Sequence, residues 1–551
     1  MRPGKLSALV LLVGTALLGV AAFAGPAQAA RLAGGGGTAR ARPAQPASNF
    51  TPLQGFGSSW AGPAINQWSA DVHNQGVVIN FDPVGSAAGR TDYIDDQADF
   101  AASDIAFLVT PDPFQGGTEH VPYAYSYIPI VAGGTTFPYN IVVGGRKITN
   151  MRLSGATVAK IFTGQINNWD NPAITHDYGA QLPSIPITVV VRSDGSGASY
   201  QFSRWLWRQY PSLWQGFCAR SGGPRSGCGP TEFYPSSALR DGKALSGSDL
   251  VANYIASASN NGAIGYDEYA YALNNHLPVV KLLNPAGYYS LPTPSNDAIA
   301  LEKAKIDENP RDLTFLMQNL DQVYSDRDPR SYPLSSYSYV IVPRDSRVVN
   351  GQTLSAPPRW NTTKGFTLST WLKFVLCGAQ QTAGSLGYSP LPFPLVTGGF
   401  LQFSHIPGHI TAIPTRQLNN CNNPTYHNGV NFLTKFAPQP SPCDFHTAPL
   451  NCVVKNGKPV AVAAAGTGAT TGASTGASTG ASTSSGQSIN PNTGQLTGAT
   501  GSGAQINAQP VSLSGTAPQE AWLFAGLIVL ALLAAIAAPA VIGSWLERRR
   551  R

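Results

Sequence analysis

Ile187-Thr188-Val189-Val190-Val191-Arg192-Ser193-Asp194-Gly195-Ser196-Gly197-Ala198-Ser199 is the stretch on which the reading of this chain turns. Its first five residues are all β-branched, which suits a buried strand. A short Gly/Ser loop follows. Phe202, Trp205 and Leu206 then fall at the i, i+3, i+4 spacing of a buried helix face. The order is strand, tight loop, helix, with Ser196, Gly197 and Ala198 at the helix N-terminus. The amides of a first helical turn have no intrahelical partner and sit at the positive end of the helix dipole, so they favour an anion. Gly195 and Gly197 remove side chains that would block a close approach. Arg192 brings a planar donor fork to the strand end, a shape suited to oxyanions. An ordinary capped helix after a turn has the same local pattern, so the loop alone is not specific.

Working outward, two further Gly/Ser loops stand at strand–helix junctions: Gly55-Phe56-Gly57-Ser58-Ser59-Trp60 and Val84-Gly85-Ser86-Ala87-Ala88-Gly89. Together with Arg192 they describe an anion cradle built mainly from neutral donors. Asp104, after Asp99-Phe100-Ala101-Ala102-Ser103, reads locally as a cap or turn residue. From about residue 49 to 414 short apolar runs alternate with helical patterns, which predicts an α/β class. Strands are expected over 77–81, 187–192 and 337–343, and helices over 199–208, 248–258 and 368–377.

Composition narrows the function classes. Charged residues make up 12% of the 551, against roughly 25% in an average soluble domain. The formal net charge is +7; Arg2 and Lys5 supply two and Arg548 to Arg551 with Glu547 supply three, leaving +2 for the rest. No basic stripe remains for a nucleic acid to follow.

Residues 1–29 read as a secretory signal: basic Arg2 and Lys5, apolar Leu6 to Phe23, and the small-residue pattern Ala27-Gln28-Ala29. Residues 30–48 read as a flexible arm, 415–460 as a Cys/Pro-rich segment, and 461–517 as a structureless Gly/Ala/Ser/Thr stalk. Residues 521–545 are apolar, long enough for a bilayer that takes about 20 residues. The basic tail 546–551 would stay cytoplasmic, putting the rest on the extracellular face of the membrane. Six cysteines in an exported chain favour disulfides. Cys218 and Cys228 flank a short loop; Cys377 with Cys421 and Cys443 with Cys452 is one way, among the 15 pairings six cysteines permit, to complete the set. No spacing matches a zinc site.

Taken in order, Gly55 to Pro63, Gly85 to Gly89, Asp99 to Asp104, Ile161-Phe162-Thr163-Gly164 through Asn168-Trp169-Asp170, Arg192 to Gly197, Gly262-Ala263-Ile264-Gly265-Tyr266, and Tyr332-Pro333-Leu334 with Tyr337 to Pro343 resemble the phosphate-binding receptors of ABC-type phosphate importers. The resemblance covers roughly residues 50–410 and is to an actinobacterial-type form with a C-terminal anchor. It implies a periplasmic-binding-protein type II-like fold, two α/β lobes joined by a hinge, with lobe one at 49–128 and 334–414 and lobe two at 136–326. It also implies site roles. Ser59, the Trp60 amide, Ser86, Ser196 and the Gly197 amide would donate to phosphate, Arg192 would donate and carry charge, Asp194 would hold Arg192, and Asp104 would accept the ligand's own proton. The implied partners are inorganic phosphate and a membrane permease; the implied state is a monomer with no cofactor, no metal and no catalysis. An ionised carboxylate only accepts, so Asp104 would admit a protonated phosphate and oppose sulfate. Two departures stand out: Ala198, where the family often has Thr, and Trp60, where Phe is usual. Ser199 is a candidate to replace the missing hydroxyl. A receptor reusing the fold for another oxyanion, without transport, is the second expectation. His405 and His409 bracket Pro407 and read as surface or packing residues rather than ligands.

Overall fold

Leu53 to Ser103 runs twice through strand, Gly/Ser loop and helix before a third strand: β1 (Leu53–Gly57), α1 (Gly62–His73), β2 (Ile79–Asp82), α2 (Ser86–Ile94) and β3 (Phe100–Ser103). The structure is a computed structural model that describes residues 50–427 and 430–462, with 488–489 and 496–497. Helical crossovers make neighbouring strands parallel, and β1 pairs in parallel with both β2 and β3. The long strand β4 (Tyr125–Thr136) then leads to β5 (Tyr139–Asn140). Next come β6 (Thr188–Arg192), α3 (Gly197–Gln209), β7 (Gly242–Leu245), α4 (Ser248–Ala256), β8 (Ala263–Gly265), β9 (Asp267–Glu268) and β10 (Ser335–Pro343).

Two main sheets result. The larger has the order β9-β4-β10-β3-β1-β2, the smaller β7-β6-β8-β5. β4 and β10 are antiparallel and buried along their whole length, as strands covered on both faces must be. The chain passes between the sheets at residues 136–139 and 265–267, and β9 returns from the smaller sheet to pair with the end of β4. This is the mixed α/β fold of the periplasmic binding proteins. The expected elements are present with shifted ends: the strand read at 77–81 is Ile79–Asp82, the helix read at 199–208 begins at Gly197, and that read at 368–377 spans Thr362–Leu376.

The disulfides are Cys218–Cys228, Cys377–Cys421 and Cys443–Cys452. The last two staple a C-terminal strap. It starts at the end of helix Thr362–Leu376, where Cys421 is bonded to Cys377, and Thr425 Oγ1 then donates to Leu391 O at 2.7 Å. It ends against the strands Arg152–Leu153 and Lys281–Leu283. There Lys281 Nζ meets Asp444 Oδ1 at 2.6 Å and Arg152 Nη2 donates to Ala448 O at 2.8 Å. Those strands join the smaller-sheet side through Met151 N, which donates to the Tyr139 hydroxyl at 3.0 Å. Cys452–Lys455 pairs with Lys458–Ala461, so residue 461 closes a hairpin rather than opening a structureless stalk. Further on, Ser488–Ile489 pairs with Leu496–Thr497. The expected signal peptide, arm and apolar span lie outside the described residues, among which no helix is long and apolar enough to cross a membrane.

Candidate functional site

β6 delivers Arg192 to the strand end, and the loop Ser193–Ser196 turns directly into α3. Ser196 caps that helix, its Oγ accepting from Ser199 N at 3.4 Å, which leaves the Ser196 proton free to donate elsewhere. Gly197 is forced by crowding: a Cβ there would stand 2.5 Å from Asp104 Oδ2 and 2.8 Å from Ser86 Oγ. The helix N-terminus, the Asp104 carboxylate and Ser86 thus meet at one point, although residues 86, 104 and 197 come from three different segments. Gly195 does something other than expected. A Cβ there would meet Ala87 Cβ at 2.3 Å, and Gly195 O accepts from Ala87 N at 3.1 Å. It clears room for the opposite loop rather than for a ligand.

Asp104, at the end of β3, is 2% exposed. Ser338 Oγ (2.7 Å) and Ser58 Oγ (2.8 Å) donate to its Oδ1, and Ser86 Oγ (3.3 Å) to its Oδ2. Burial pushes this carboxyl above its usual range; the hydroxyls of Ser338, Ser58 and Ser86 and the charge of Arg192 pull it back. Gln201 Nε2 holds the Asp104 carbonyl at 3.0 Å. A carboxylate ringed by hydroxyls can exchange one of those donors for a ligand O–H at little geometric cost.

The second centre surrounds Arg192. Its Nε donates to Asp194 Oδ1 at 2.8 Å and its Nη2 to Asp194 Oδ2, a bidentate pair. Burial works against the guanidinium charge, but Asp194 and Asp267 hold it above its ordinary value. Nη1 donates to Ser248 Oγ at 3.1 Å, and Ser248 Oγ lies 3.0 Å from Ser59 Oγ. Trp60 packs edge-on against Tyr388, whose hydroxyl donates to Trp60 O at 2.6 Å. The indole is therefore a core residue.

Ser59, Trp60, Ser86, Asp104, Arg192, Ser196 and Ala198 are each at most 3% exposed, so the site is closed to solvent. Ser199 does not stand in for the hydroxyl missing at Ala198, because its Oγ pairs with the Tyr266 hydroxyl at 2.6 Å. Ser58, Ser248, Ser338 and Asp267 are site neighbours that sequence reading missed. Among the described residues no group of three His, Cys, Asp or Glu side chains could hold a metal. His405 lies 3.7 Å from Asp345 and His409 Nδ1 is 2.9 Å from Ile406 O, both away from this cluster.

A family model, the PBP superfamily domain, matches residues 37–377, and the chain belongs to that superfamily. Within it, the chain is similar to the phosphate-binding protein PstS of Xylella fastidiosa (strain Temecula1 / ATCC 700964), 29% identical over 347 residues, covering 62% of this chain and 82% of that one. It is also similar to phosphate-binding protein PstS 3 of Mycobacterium tuberculosis (strain ATCC 25618 / H37Rv), 26% identical over 326 residues, 58% of this chain and 76% of that one. Among solved structures it resembles a phosphate-binding protein from Stenotrophomonas maltophilia at 17% identity and TM-score 0.44, covering 69% of this chain and 99% of that one.

Proposed function

We propose that this protein binds inorganic phosphate outside the cytoplasm and hands it to the permease of an ABC-type phosphate importer, without catalysing a reaction. The observation that carries the reading is the convergence of Ser86 and the Gly197 end of α3 on the Asp104 carboxylate, beside the charge of Arg192, in a site shut off from water. Ser59, Ser86 and Ser196 supply hydroxyl donors. The Trp60 and Gly197 amides supply main-chain donors, and Ala198 contributes main chain only. Arg192, fixed by Asp194, supplies the positive charge. Asp104 accepts the ligand's proton. Similarity to PstS proteins named for phosphate binding supports the same ligand.

In this reading residues 49–128 with 334–414 form one lobe and 136–326 the other, and the ion is held where they close. Three disulfides fit an oxidising compartment. The apolar run 521–545 would tether the protein to the membrane as a monomer, its folded part on the extracellular face.

The test is calorimetry on the purified protein with phosphate, arsenate and sulfate. Phosphate and arsenate should bind and sulfate should not; failure of phosphate to bind at neutral pH sinks the proposal. One observation favours a second reading, a receptor for another oxyanion: position 198 lacks a hydroxyl and Ser199 is engaged by Tyr266. Preference for a different anion in the same titrations would select it.

A further inference from the structure

β7 pairs with β6 so that Leu245 stands opposite Arg192. The two strands therefore end level, and the start of α4 lies beside the Arg192–Asp194 pair, where Gly247 N donates to Asp194 Oδ1 at 3.0 Å. Ser248, 1% exposed, occupies the space between Arg192 and Ser59. Towards Arg192 Nη1, which can only donate, Ser248 Oγ accepts. Towards Ser59 Oγ, either hydroxyl can be the donor. Behind Ser248 lies a carboxyl that the anion site as described does not use. Asp267 is 2% exposed; its Oδ1 accepts from Glu268 N at 2.9 Å, and its Oδ2 is buried without a hydrogen-bond partner.

The groups facing Asp267 come from several elements. Arg192 on β6 and the Ser248 hydroxyl on α4 favour its charged form; burial and Asp249 on α4 oppose it, and burial dominates, pushing Asp267 up to about 8. Glu268 on its own strand is itself raised well above its usual range by burial and adds like charge whenever it ionises. The nearby phenols of Tyr271 and Tyr388 are raised by burial and stay neutral. An incoming anion adds like charge to this set, which further disfavours an ionised Asp267.

In the structure Ser248 Oγ bonds Arg192 and Ser59 and makes no hydrogen bond to Asp267; once ionised, the unpartnered Asp267 carboxylate becomes a second claimant for the single Ser248 proton. We propose, resting on the anion site argued above, that the chain Asp267–Ser248–Ser59 couples anion binding to uptake of one proton from solvent by Asp267. With Asp267 ionised, the Ser248 hydroxyl turns to the carboxylate and Ser59 spends its proton on Ser248. With Asp267 protonated, Ser248 is free to donate to Ser59, and the Ser59 hydroxyl is released towards the anion. Asp267 is then a positioning residue: it touches no ligand and sets the direction of the hydroxyls that do.

The experiment is phosphate calorimetry on the wild-type protein at about pH 9, where free phosphate is a dianion, in two buffers of different ionisation enthalpy. Uptake close to one proton per anion is expected for the wild type and close to none for Asp267→Asn. Across pH 7 to 9 the wild type should weaken about tenfold more than Asp267→Asn. Ser248→Ala, which cuts the chain but keeps the carboxyl, provides the same comparison should Asp267→Asn fail to fold; it should lose most of the extra pH dependence. Phosphate binding without proton uptake, or equal uptake in the wild type and Asp267→Asn, overturns the coupling alone. No phosphate binding by the wild type at pH 7 overturns the anion-site reading, and the coupling with it.

Discussion

Arg90 Nη2 donates to Glu232 Oε1 at 2.6 Å, joining α2 on the larger-sheet side to the loop that precedes β7 on the smaller-sheet side. Arg90 is fully buried; its Nε also pairs with Glu119 at 2.9 Å and its Nη1 with Ser103 Oγ at 3.0 Å. The Glu232 carbonyl accepts from Ser196 N at 3.1 Å, so one residue ties the ion pair to the cap of α3. Removing one partner of a buried pair leaves an uncompensated charge, at about 3–5 kcal/mol. Arg90→Ala should lose stability of that order in chemical unfolding. Adding Glu232→Gln should restore part of it, since partners in one network are not additive. Equal and additive losses would show that the pair is not coupled.

In the proposed reading Asp104 selects for a protonated anion. Asp104→Asn loses a charge-assisted acceptor worth about 1.5–3 kcal/mol, so phosphate affinity should fall by roughly ten- to a hundredfold. The same change removes the repulsion that opposes sulfate, so the ratio of phosphate to sulfate affinity should collapse. An unchanged ratio would remove Asp104 from the selectivity argument.

Gly197→Ala tests the cradle. The added methyl would press on Asp104 Oδ2 and Ser86 Oγ, where only a shift of the helix start could relieve it. Phosphate binding should be lost while circular dichroism keeps the native α/β spectrum. Retained affinity would mean that Asp104 and Ser86 stand further from α3 when the ion is bound.

The part legible in sequence was the part whose chemistry is local. Arg192 to Gly197 could be read because strand, loop and cap are consecutive, and the Asp194–Arg192 pair is two residues apart. Ser58, Ser248 and Ser338 could not, because a lone serine carries no pattern and only topology brings residues 58, 104 and 338 together. Asp267 was hidden for a related reason: its neighbours in sequence are ordinary, and its burial comes from β9 crossing back to β4. Ser199 could be offered only as a candidate, since adjacency to Ala198 says nothing of direction; on a helix the next side chain points elsewhere, and here it points to Tyr266.

Stability should fall as pH rises through the buried acids. Asp297 is fully buried, accepts from Ser335 Oγ at 2.6 Å, and burial pushes it up to about 8. Its folded value lies above the unfolded one, so between about pH 4 and 8 the native state holds a proton that the unfolded state has released. That contribution is complete below about pH 4 and drains away towards pH 8, at a slope approaching about 1.4 kcal/mol per pH unit for one such group. Asp297→Asn should flatten the wild-type decline in chemical denaturation across this range. A decline of the same steepness in the variant would assign it to other groups.

In the two-lobe reading proposed above, the disulfide-stapled run from Cys421 to Cys452 is a second bridge between the lobes, independent of the strands that pass between the sheets. A clamshell with one joint can gape as wide as its joint permits; one that also carries a belt around the back opens only as far as the belt has slack. Release of a captured ion would then proceed by a short, guided swing, and cutting the belt between Thr425 and Asp444 would widen that swing without touching a single group that holds the ion.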